Sequence, residues 1–348
     1  MATIIKINGN RYEAFQDLNI DINFDSLAST FSFSGLFDTD NSEHRRIFRP
    51  LSYNSVEIYD GNTLLLTGVI LSHRYSPSNT RNLVPVSGYS LPGVLVDSSI
   101  PTSKYPLETL GKSLIEITED LISEFGISLV VDPSVQEDAA KLYEKSLAKG
   151  NQTVGNYISK LASQRNIIVS HTPRGEVLFT RPRKNQQSIA TYRENVPTLQ
   201  FNLTVNGQGM HSAVTVLKQG TVGSSIEGNA TANNPLITAF RPLVKEQTNG
   251  SSGDTDDAAR NAISAELKNI SLMIDTDRWI WFDGRTISTL AVNNYVDVIA
   301  PQCYIARRAS FFVKKVTFIE DNQRRTARLE CVLPETFNGD EPRNIFVL

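Results

Sequence analysis

The stretch "VEIYDGNTLLLTGVILSHRYSPSNTRNLVPVSGYS", residues 56–90, decides how the first part of the chain folds. Apolar and polar residues alternate along most of it, which is typical of half-buried strands. Asp60-Gly61 and the Pro-Ser-Asn run at 77–79 are turn signals, so three consecutive antiparallel strands are predicted. Alternation and an Asn8-Gly9 turn extend the pattern back to Ile4. An antiparallel β-domain therefore opens the chain.

The hydrophobic period changes after Pro101. The run "SLIEITEDLISEFGI" places apolar residues on one helical stripe and ends at Gly126, a residue type preferred just past a helix. A second amphipathic helix is predicted in "NQTVGNYISKLASQRNI", and a hairpin turning at Arg174-Gly175 follows. The residues predicted to face inward are Leu114, Ile117, Leu121 and Ile122 in the first helix, and Val154, Tyr157, Ile158 and Leu161 in the second.

Strands return from Leu199, and a later helix with Asp254 or Thr255 as N-cap follows a Gly/Ser-rich linker. The predicted fold class is α+β, mainly β, with two similar antiparallel β-barrel domains, an intervening α/β module and a helical insertion in the second barrel. The predicted division is 1–101 for the first barrel, 102–196 for the module, 197–230 with 283–348 for the second barrel, and 231–282 for a strand-helix insertion packing with the module.

The two β-regions resemble one another, which predicts an internal duplication. We align "STFSFSG" at 29–35 with "AVTVLKQG" at 213–220, and "VEIYDG" at 56–61 with "VDVIAP" at 296–301. The hairpin at 68–88 aligns with the one at 312–332. A chain with two similar barrels would let a trimer present six barrels in a ring to a six-fold partner.

Composition limits the classes of function. The net charge of −3 gives no general drive toward nucleic acid. Two cysteines, Cys303 and Cys331, do not make a disulfide framework or a zinc pattern, so we expect free, mostly buried thiols. The sequence shows neither a secretory leader nor an apolar stretch of membrane-spanning length, so synthesis and folding in a cytoplasm are expected.

No catalytic, cofactor-binding or metal-binding residue is predicted. Ser90 lies in "GYSLPG", which misses the Gly-x-Ser-x-Gly elbow by one residue, and Gly88 and Gly93 are expected to serve turns. The run "FDTDNSEHRR" lacks the glycine and the terminal glutamate of a calcium loop, although Asp38, Asp40 and Ser42 begin like one. The histidines His44, His73, His171 and His211 show no metal-ligand spacing, and no phosphate-binding glycine motif is present.

Basic pairs and two tryptophans are the other marked features. The pairs are Arg45-Arg46, Arg307-Arg308, Lys314-Lys315 and Arg324-Arg325. Neighbouring side chains of a strand point to opposite faces, so we expect these pairs to meet acidic partners on sheet faces rather than to form a nucleic-acid patch. Trp279 and Trp281 are expected on one strand face, where packing in the core is favoured over an interface.

The run from Gly68 to Pro101 resembles the Mu-type baseplate hub proteins of contractile-tailed bacteriophages. The residues that match the pattern closing the first barrel of that family are Gly88, Ser90, Leu95, Val96, Asp97 and Ser99. Further similar pieces follow in order, including "RPLVKEQ" and "NNYVDVIAP", whereas "DRWIWFDGRTISTL" departs from the glycine-rich family pattern. The resemblance covers nearly the whole chain.

The resemblance implies a structural, non-enzymatic function. It implies a homotrimer that forms a pseudo-six-fold ring in the virion, joins the hexameric tail tube to the trimeric central spike and lines the channel for DNA ejection. The implied partners are other copies of the chain, the spike, the tube protein, other baseplate proteins and DNA in passage, with no cofactor. Two alternatives stay open: an envelope-directed glycan-binding or peptidoglycan-degrading tail module, which would need paired carboxylates in a cleft, and a monomeric two-barrel adhesion protein.

Overall fold

A computed structural model describes residues 2–76, 82–105, 107, 109–143, 152–183, 186–218, 228–247, 255–281, 288–337 and 339–346. The predicted Pro-Ser-Asn turn at 77–79 and the predicted cap Asp254 lie outside the described residues. The fold is mainly β, as the sequence predicts. In this part of the chain, no helix is both long enough and apolar enough to cross a membrane.

The strands are β1 (Thr3–Ile7), β2 (Asn10–Tyr12), β3 (Phe15–Asn23), β4 (Thr30–Leu36), β5 (Ser55–Asp60), β6 (Thr63–His73), β7 (Leu83–Ser90), β8 (Leu129–Val131), β9 (Ile168–His171), β10 (Val177–Thr180), β11 (Ala190–Arg193), β12 (Leu199–Val205), β13 (Ala213–Lys218), β14 (Gly228–Asn233), β15 (Pro242–Gln247), β16 (Ile270–Thr276), β17 (Tyr295–Ala300), β18 (Ile305–Glu320) and β19 (Arg325–Val332). The α-helices are α1 (Ser42–Ile47), α2 (Val94–Asp97), α3 (Leu114–Ile122), α4 (Gln136–Ala140), α5 (Val154–Ser163) and α6 (Thr255–Glu266).

One sheet connects the beginning and the end of the chain. Its path is β12-β16-β19-β18-β3-β4-β7-β6-β5-β1-β2, and β17 and β11 branch from β18. The long strand β18 pairs with β17 along its first part and with β3 along its last part. The largest apolar cluster accordingly contains residues of both β-regions, including Ile20, Phe31, Leu272 and Phe318. The two regions therefore share one core.

The predicted internal repeat is present in the strand order. The first copy, repeat 1, runs β3-β4-β7-β6-β5-β1, and the second, repeat 2, runs β12-β16-β19-β18-β17-β11. Equivalent strands also occur in the same chain order. One pairing differs, because β1 and β5 are antiparallel whereas β11 and β17 are parallel.

The repeats agree down to single hydrogen bonds. The backbone N–H of Ile70 donates to the Asn54 carbonyl at 2.9 Å, and that of Val313 donates to the Asn294 carbonyl at 2.8 Å. A register shift follows directly in both copies, between Ile70 and Ser72 and between Val313 and Lys315. A β-bulge inserts one residue into a strand and bends it, so a shared bulge indicates a shared path of the backbone.

Two parts of the sequence alignment are wrong, and the smaller error is one residue: the shared bulge places the hairpin 68–88 on 311–331 rather than on 312–332. The run at 213–220 is not the counterpart of β4, because β13 lies in a separate sheet with order β14-β13-β15. The counterpart of β4 is β16, which pairs with β19 as β4 pairs with β7. The interruption of repeat 2 therefore lies between β12 and β16, and β16, assigned above to the insertion, belongs to the shared sheet. Alternating strands resemble one another in composition, so periodicity did not separate the two candidates.

The segment between β12 and β16 folds on itself. Helix α6 begins at Thr255 and buries Ala259 against Val216 and Ala230 of the small sheet. Its packing on the α/β module stays a prediction. Closure of the two predicted barrels is not confirmed, since the strand pairs of the described residues form an open path rather than a ring.

The α/β module has its own core, as the sequence predicts. Helix α3 ends in a 3₁₀ turn and then Gly126 at φ 66°, and its predicted apolar stripe is buried together with that of α5. The hairpin of β9 and β10 turns through Gly175 at φ 84°. A parallel pairing of β8 with β10 completes a three-stranded sheet.

Candidate functional site

Ser90 is part of the join between repeat 1 and the α/β module. Its side chain is fully buried, donates to the Leu27 carbonyl at 2.8 Å and accepts from the Ser29 backbone N–H at 3.0 Å. These bonds fix the end of β7, from which the chain enters the module. The structure thus places Ser90 in a structural role, as the sequence suggests.

Gly88 is not a turn residue, which corrects the sequence prediction. It lies inside β7, and a Cβ atom there would stand 1.9 Å from the Val69 carbonyl oxygen. Gly93 does lie in a 3₁₀ turn, where a Cβ would meet the Tyr89 ring at 2.5 Å. Both glycines are required by close approach of neighbouring atoms.

His171 ties the module to the sheet from the other side. Its Nε2 lies 2.6 Å from Ser29 Oγ, and its Nδ1 lies 3.1 Å from the Thr172 carbonyl. A carbonyl only accepts, so Nδ1 carries the proton and Nε2 accepts from the serine hydroxyl. The same hydroxyl oxygen accepts from the Asn23 backbone N–H at 3.0 Å. The pair resembles a serine-histidine dyad in distance, but Ser29 is fully buried, so no substrate reaches it.

We expect this join to weaken at acidic pH. Burial lowers the pKa of His171, so the unfolded chain takes up a proton at a higher pH than the folded chain. The stability that neutral His171 contributes is therefore complete above 6.5, the pKa of histidine in the unfolded chain, and is lost as the pH falls below that value. Between pH 7 and pH 5 this lowers the free energy of unfolding by at most about 2 kcal/mol.

The measurement is the free energy of unfolding of the module against pH. His171→Gln should flatten the slope between pH 5 and 7. An unchanged slope in His171→Gln would contradict the assignment.

The remaining histidines do not converge on one site. His211 binds Glu266, with Nδ1 at 2.8 Å from Oε1. His44 Nδ1 accepts from the Asp38 backbone N–H at 3.1 Å, and His73 stacks on Tyr75. Each therefore has a separate local role.

The loop with the calcium-like start is held by its own backbone. Asp38 Oδ1 accepts from the Asp40 N–H at 2.9 Å, and Asn41 caps α1 by accepting from two backbone N–H groups. These are the bonds of an Asx turn and a helix N-cap. The loop is a helix entry, as the solvated-loop interpretation predicts.

Both cysteines are free thiols, as predicted. Cys331 is buried in the core of repeat 2, and Cys303 is half-buried. Burial raises the pKa of both thiols, which keeps them protonated and unreactive.

At least one member of each basic pair meets an acidic partner, as predicted. Lys314 lies 3.3 Å from Glu330 and Lys315 lies 3.2 Å from Asp21. Arg308 lies 3.4 Å from Asp297. These cations therefore join neighbouring strands of the sheet.

Arg325 forms an electrostatic link between the repeats. Its guanidinium lies 3.0 Å from the nearly fully buried Asp60 of repeat 1 and 3.0 Å from Glu320 of repeat 2. It also covers the ring of Trp279 at 3.8 Å, and Thr289 donates to Asp60 at 3.2 Å. The hairpin tip of β18 and β19 is thereby fixed to the end of β5.

The tryptophans are core residues, as favoured from the sequence. Trp279 and Trp281 are each 3 % exposed, and Trp279 Nε1 donates to the Thr326 carbonyl at 2.7 Å. They flank Ile280, which forms an isolated bridge with Thr289, and they do not belong to a strand.

The segment before β5 exposes apolar side chains on a strained backbone. Leu51 and Tyr53 are 76 % and 60 % exposed, and both have positive φ, 59° and 49°. The equivalent of Tyr53 in repeat 2 is Asn293, at φ 59°, and asparagine tolerates this conformation better than a bulky residue. Sequence periodicity gives no signal for this pair, because backbone strain is a tertiary property.

Replacing Tyr53 by asparagine should stabilise the isolated chain. Relief of the strained conformation is worth about 1 kcal/mol, or roughly 2–4 °C in Tm. The Tm by calorimetry is the measurement, and Tyr53→Phe, which keeps the strain, is the matched control. Equal Tm values for the two variants would contradict the prediction.

A groove beside α6 gathers acidic side chains. Asp256, Asp340 and Glu341 line it together with Arg260. Carboxylates of this kind are what the glycan-directed alternative requires, so the groove is the place where that alternative can be tested.

Comparisons with known proteins agree with the fold and its parts. Residues 92–181 match the family model for the second domain of gp44-like baseplate hub proteins. Baseplate hub protein gp44 of Escherichia phage Mu is 22% identical over 275 residues, which cover 76% of this chain and 70% of that protein. The resemblance to the Mu-type baseplate hub proteins is confirmed.

Two solved structures share the fold of this chain over nearly their whole length. The 43 kDa tail protein of prophage MuSo2 from Shewanella oneidensis has a TM-score of 0.80 at 17% identity, covering 97% of this chain and 99% of that one. The tail protein from Neisseria meningitidis MC58 has a TM-score of 0.79 at 19% identity, covering 98% and 99%. The matched segment 92–181 contains the helices α3 and α5 and the three-stranded sheet of the α/β module, which Ser90 and His171 join to repeat 1.

Proposed function

We propose that this chain is a structural protein of a phage tail baseplate hub. Three copies form a ring with pseudo-six-fold symmetry, which joins the hexameric tail tube to the trimeric central spike and surrounds the channel through which DNA leaves the virion. The similarity to gp44 of phage Mu supports the baseplate hub assignment. The absence of enzymatic activity and of cofactors remains part of the proposal.

The observation that carries the ring is the internal repeat. Six strands follow the same order in both copies, and equivalent strands carry the same bulge. A chain that contains two similar units presents six of them when three chains surround an axis, which matches three-fold to six-fold symmetry. Other copies, spike, tube and further baseplate proteins are the proposed partners, with DNA in passage.

The mass in solution tests the proposal. Light scattering should give three times the chain mass of 38.6 kDa, and negative-stain images of the same sample should show a ring with a central hole. A monomer at all concentrations would contradict the hub and favour the adhesion alternative. Cleavage of peptidoglycan that is lost in Asp340→Asn would instead favour the glycan-directed alternative.

A further inference from the structure

Among the described residues, one strand pair joins the two repeats. The last part of β18 in repeat 2 runs antiparallel to β3 in repeat 1, with Val316 opposite Ile22 and Phe318 opposite Ile20. Val316, Phe318 and Ile20 are buried in the common core, at 0%, 1% and 0% exposure. This pair shows how one repeat packs on the next.

The repeat also defines the equivalents of these two strands. When the two repeats are aligned at the shared bulge, β6 is equivalent to β18. His73 then corresponds to Val316, and Tyr75 corresponds to Phe318. Strand β12 is equivalent to β3 in the same way, because Leu203 pairs with Leu272 of β16 as Ile20 pairs with Phe31 of β4. Leu203 therefore corresponds to Ile20, and Val205 corresponds to Ile22. The runs "LNIDIN" at 18–23 and "FNLTVN" at 201–206 align without a gap.

The equivalent edges lack a strand partner within the described part of the chain. Strand β12 is the end of the shared sheet and pairs only with β16, and beyond Ile70 strand β6 pairs only with β7. Apolar side chains at these edges are correspondingly open: Val205 in β12 is 51% exposed, and Tyr75, two residues past the end of β6, is 40% exposed. An unpaired edge with apolar side chains is a template for another chain.

We propose that β6 of one copy pairs with β12 of the next copy, reproducing between chains the contact that β18 and β3 make within one. His73 then lies opposite Val205, and Tyr75 opposite Leu203, of the neighbouring copy. The contact joins two different surfaces, so its repetition closes a ring when the rotation fits. The inference rests on the proposed self-association and identifies the surface that forms it.

A disulfide tests the register of this strand pair. We combine His73→Cys with Val205→Cys in a Cys303→Ser background, because directly opposed antiparallel residues lie at a Cα separation that a disulfide bridges. After oxidation, most of the protein should run as covalent trimer on a non-reducing gel. The matched control joins His73→Cys with Thr204→Cys, whose side chain points to the other face of the strand, and should give at most traces of trimer.

The outcomes separate this inference from the proposed function. If light scattering shows a trimer but the cysteine pair does not cross-link, the strand pair is overturned and the hub proposal stands. The same holds if the protein is a trimer and the control pair cross-links equally well. Register-specific ladders beyond three chains would support the strand pair and contradict the closed ring. A monomer that does not cross-link would overturn both.

A charge at the same edge provides an independent measurement. Val205→Asp places a carboxylate in the proposed contact, and we expect the midpoint concentration of trimer dissociation to rise at least about 100-fold. Val244→Asp is the matched control, since Val244 is also exposed, at 59%, but lies in the separate sheet with β13. Equal dissociation of the two folded variants would overturn the inference.

Discussion

Replacing Gly88 by alanine is expected to prevent stable folding of repeat 1. The new Cβ would stand 1.9 Å from the Val69 carbonyl oxygen and 2.7 Å from the Phe31 ring. The first clash is with backbone of the paired strand β6, which cannot move without breaking the ladder. The loss should exceed about 4 kcal/mol, the range of the most damaging single substitutions.

The measurement is soluble yield and the thermal unfolding curve by circular dichroism. Gly207→Ala is the matched control, because no atom lies within 4 Å of a Cβ built there. We expect the control to unfold with the wild type and Gly88→Ala to be insoluble or to lose its cooperative transition. Coincident unfolding curves for Gly88→Ala and the wild type would contradict the close approach of β6 and β7.

Replacing Arg325 by leucine should separate the two repeats energetically. Asp60 would keep its buried charge without the guanidinium at 3.0 Å, and Trp279 would lose the cation above its ring. Removing one partner of a buried ion pair typically costs about 3–5 kcal/mol, which corresponds to a fall in Tm on the order of 10 °C. Most of this cost is the uncompensated charge of Asp60, rather than the net value of the pair.

Two variants separate that explanation from a general loss of packing. Arg324→Leu removes the neighbouring, largely exposed arginine and should change the Tm little. Asp60→Leu combined with Arg325→Leu removes both charges and should recover much of the lost stability. A double variant as unstable as the sum of its singles would show that the ion pair is not what joins β5 to the hairpin of β18 and β19.

The helices of the α/β module were predictable because their signals are local. The stripe from Leu114 to Ile122 and the stop at Gly126 lie within one segment, and each residue acts through neighbours a few positions away. The hairpins at Asn8-Gly9 and at Arg174-Gly175 were predictable for the same reason. Likewise, "VEIYDG" and "VDVIAP" were correctly matched as β5 and β17, since each precedes a long hairpin.

The counterpart of β4 was not predictable by the same means. Apolar and polar residues alternate in both β13 and β16. This alternation shows which side chains share a face, but it does not determine which strand lies next to them. The long insertion moved β16 far along the sequence, so only its pairing with β19 identified it. Gly88 was misassigned for a related reason, because a glycine required by a neighbouring strand looks like a glycine required by a turn.

The sequence by itself determined the periods, the turns, the module and the resemblance to Mu-type baseplate hub proteins. Only the tertiary structure decided that β18 joins the repeats and that His171 meets Ser29. It also decided that, among the described residues, β6 and β12 keep open edges. Periods and turns follow from interactions between residues close in the chain. The pairing of distant strands is decided by the packing of the whole core, which no single segment encodes.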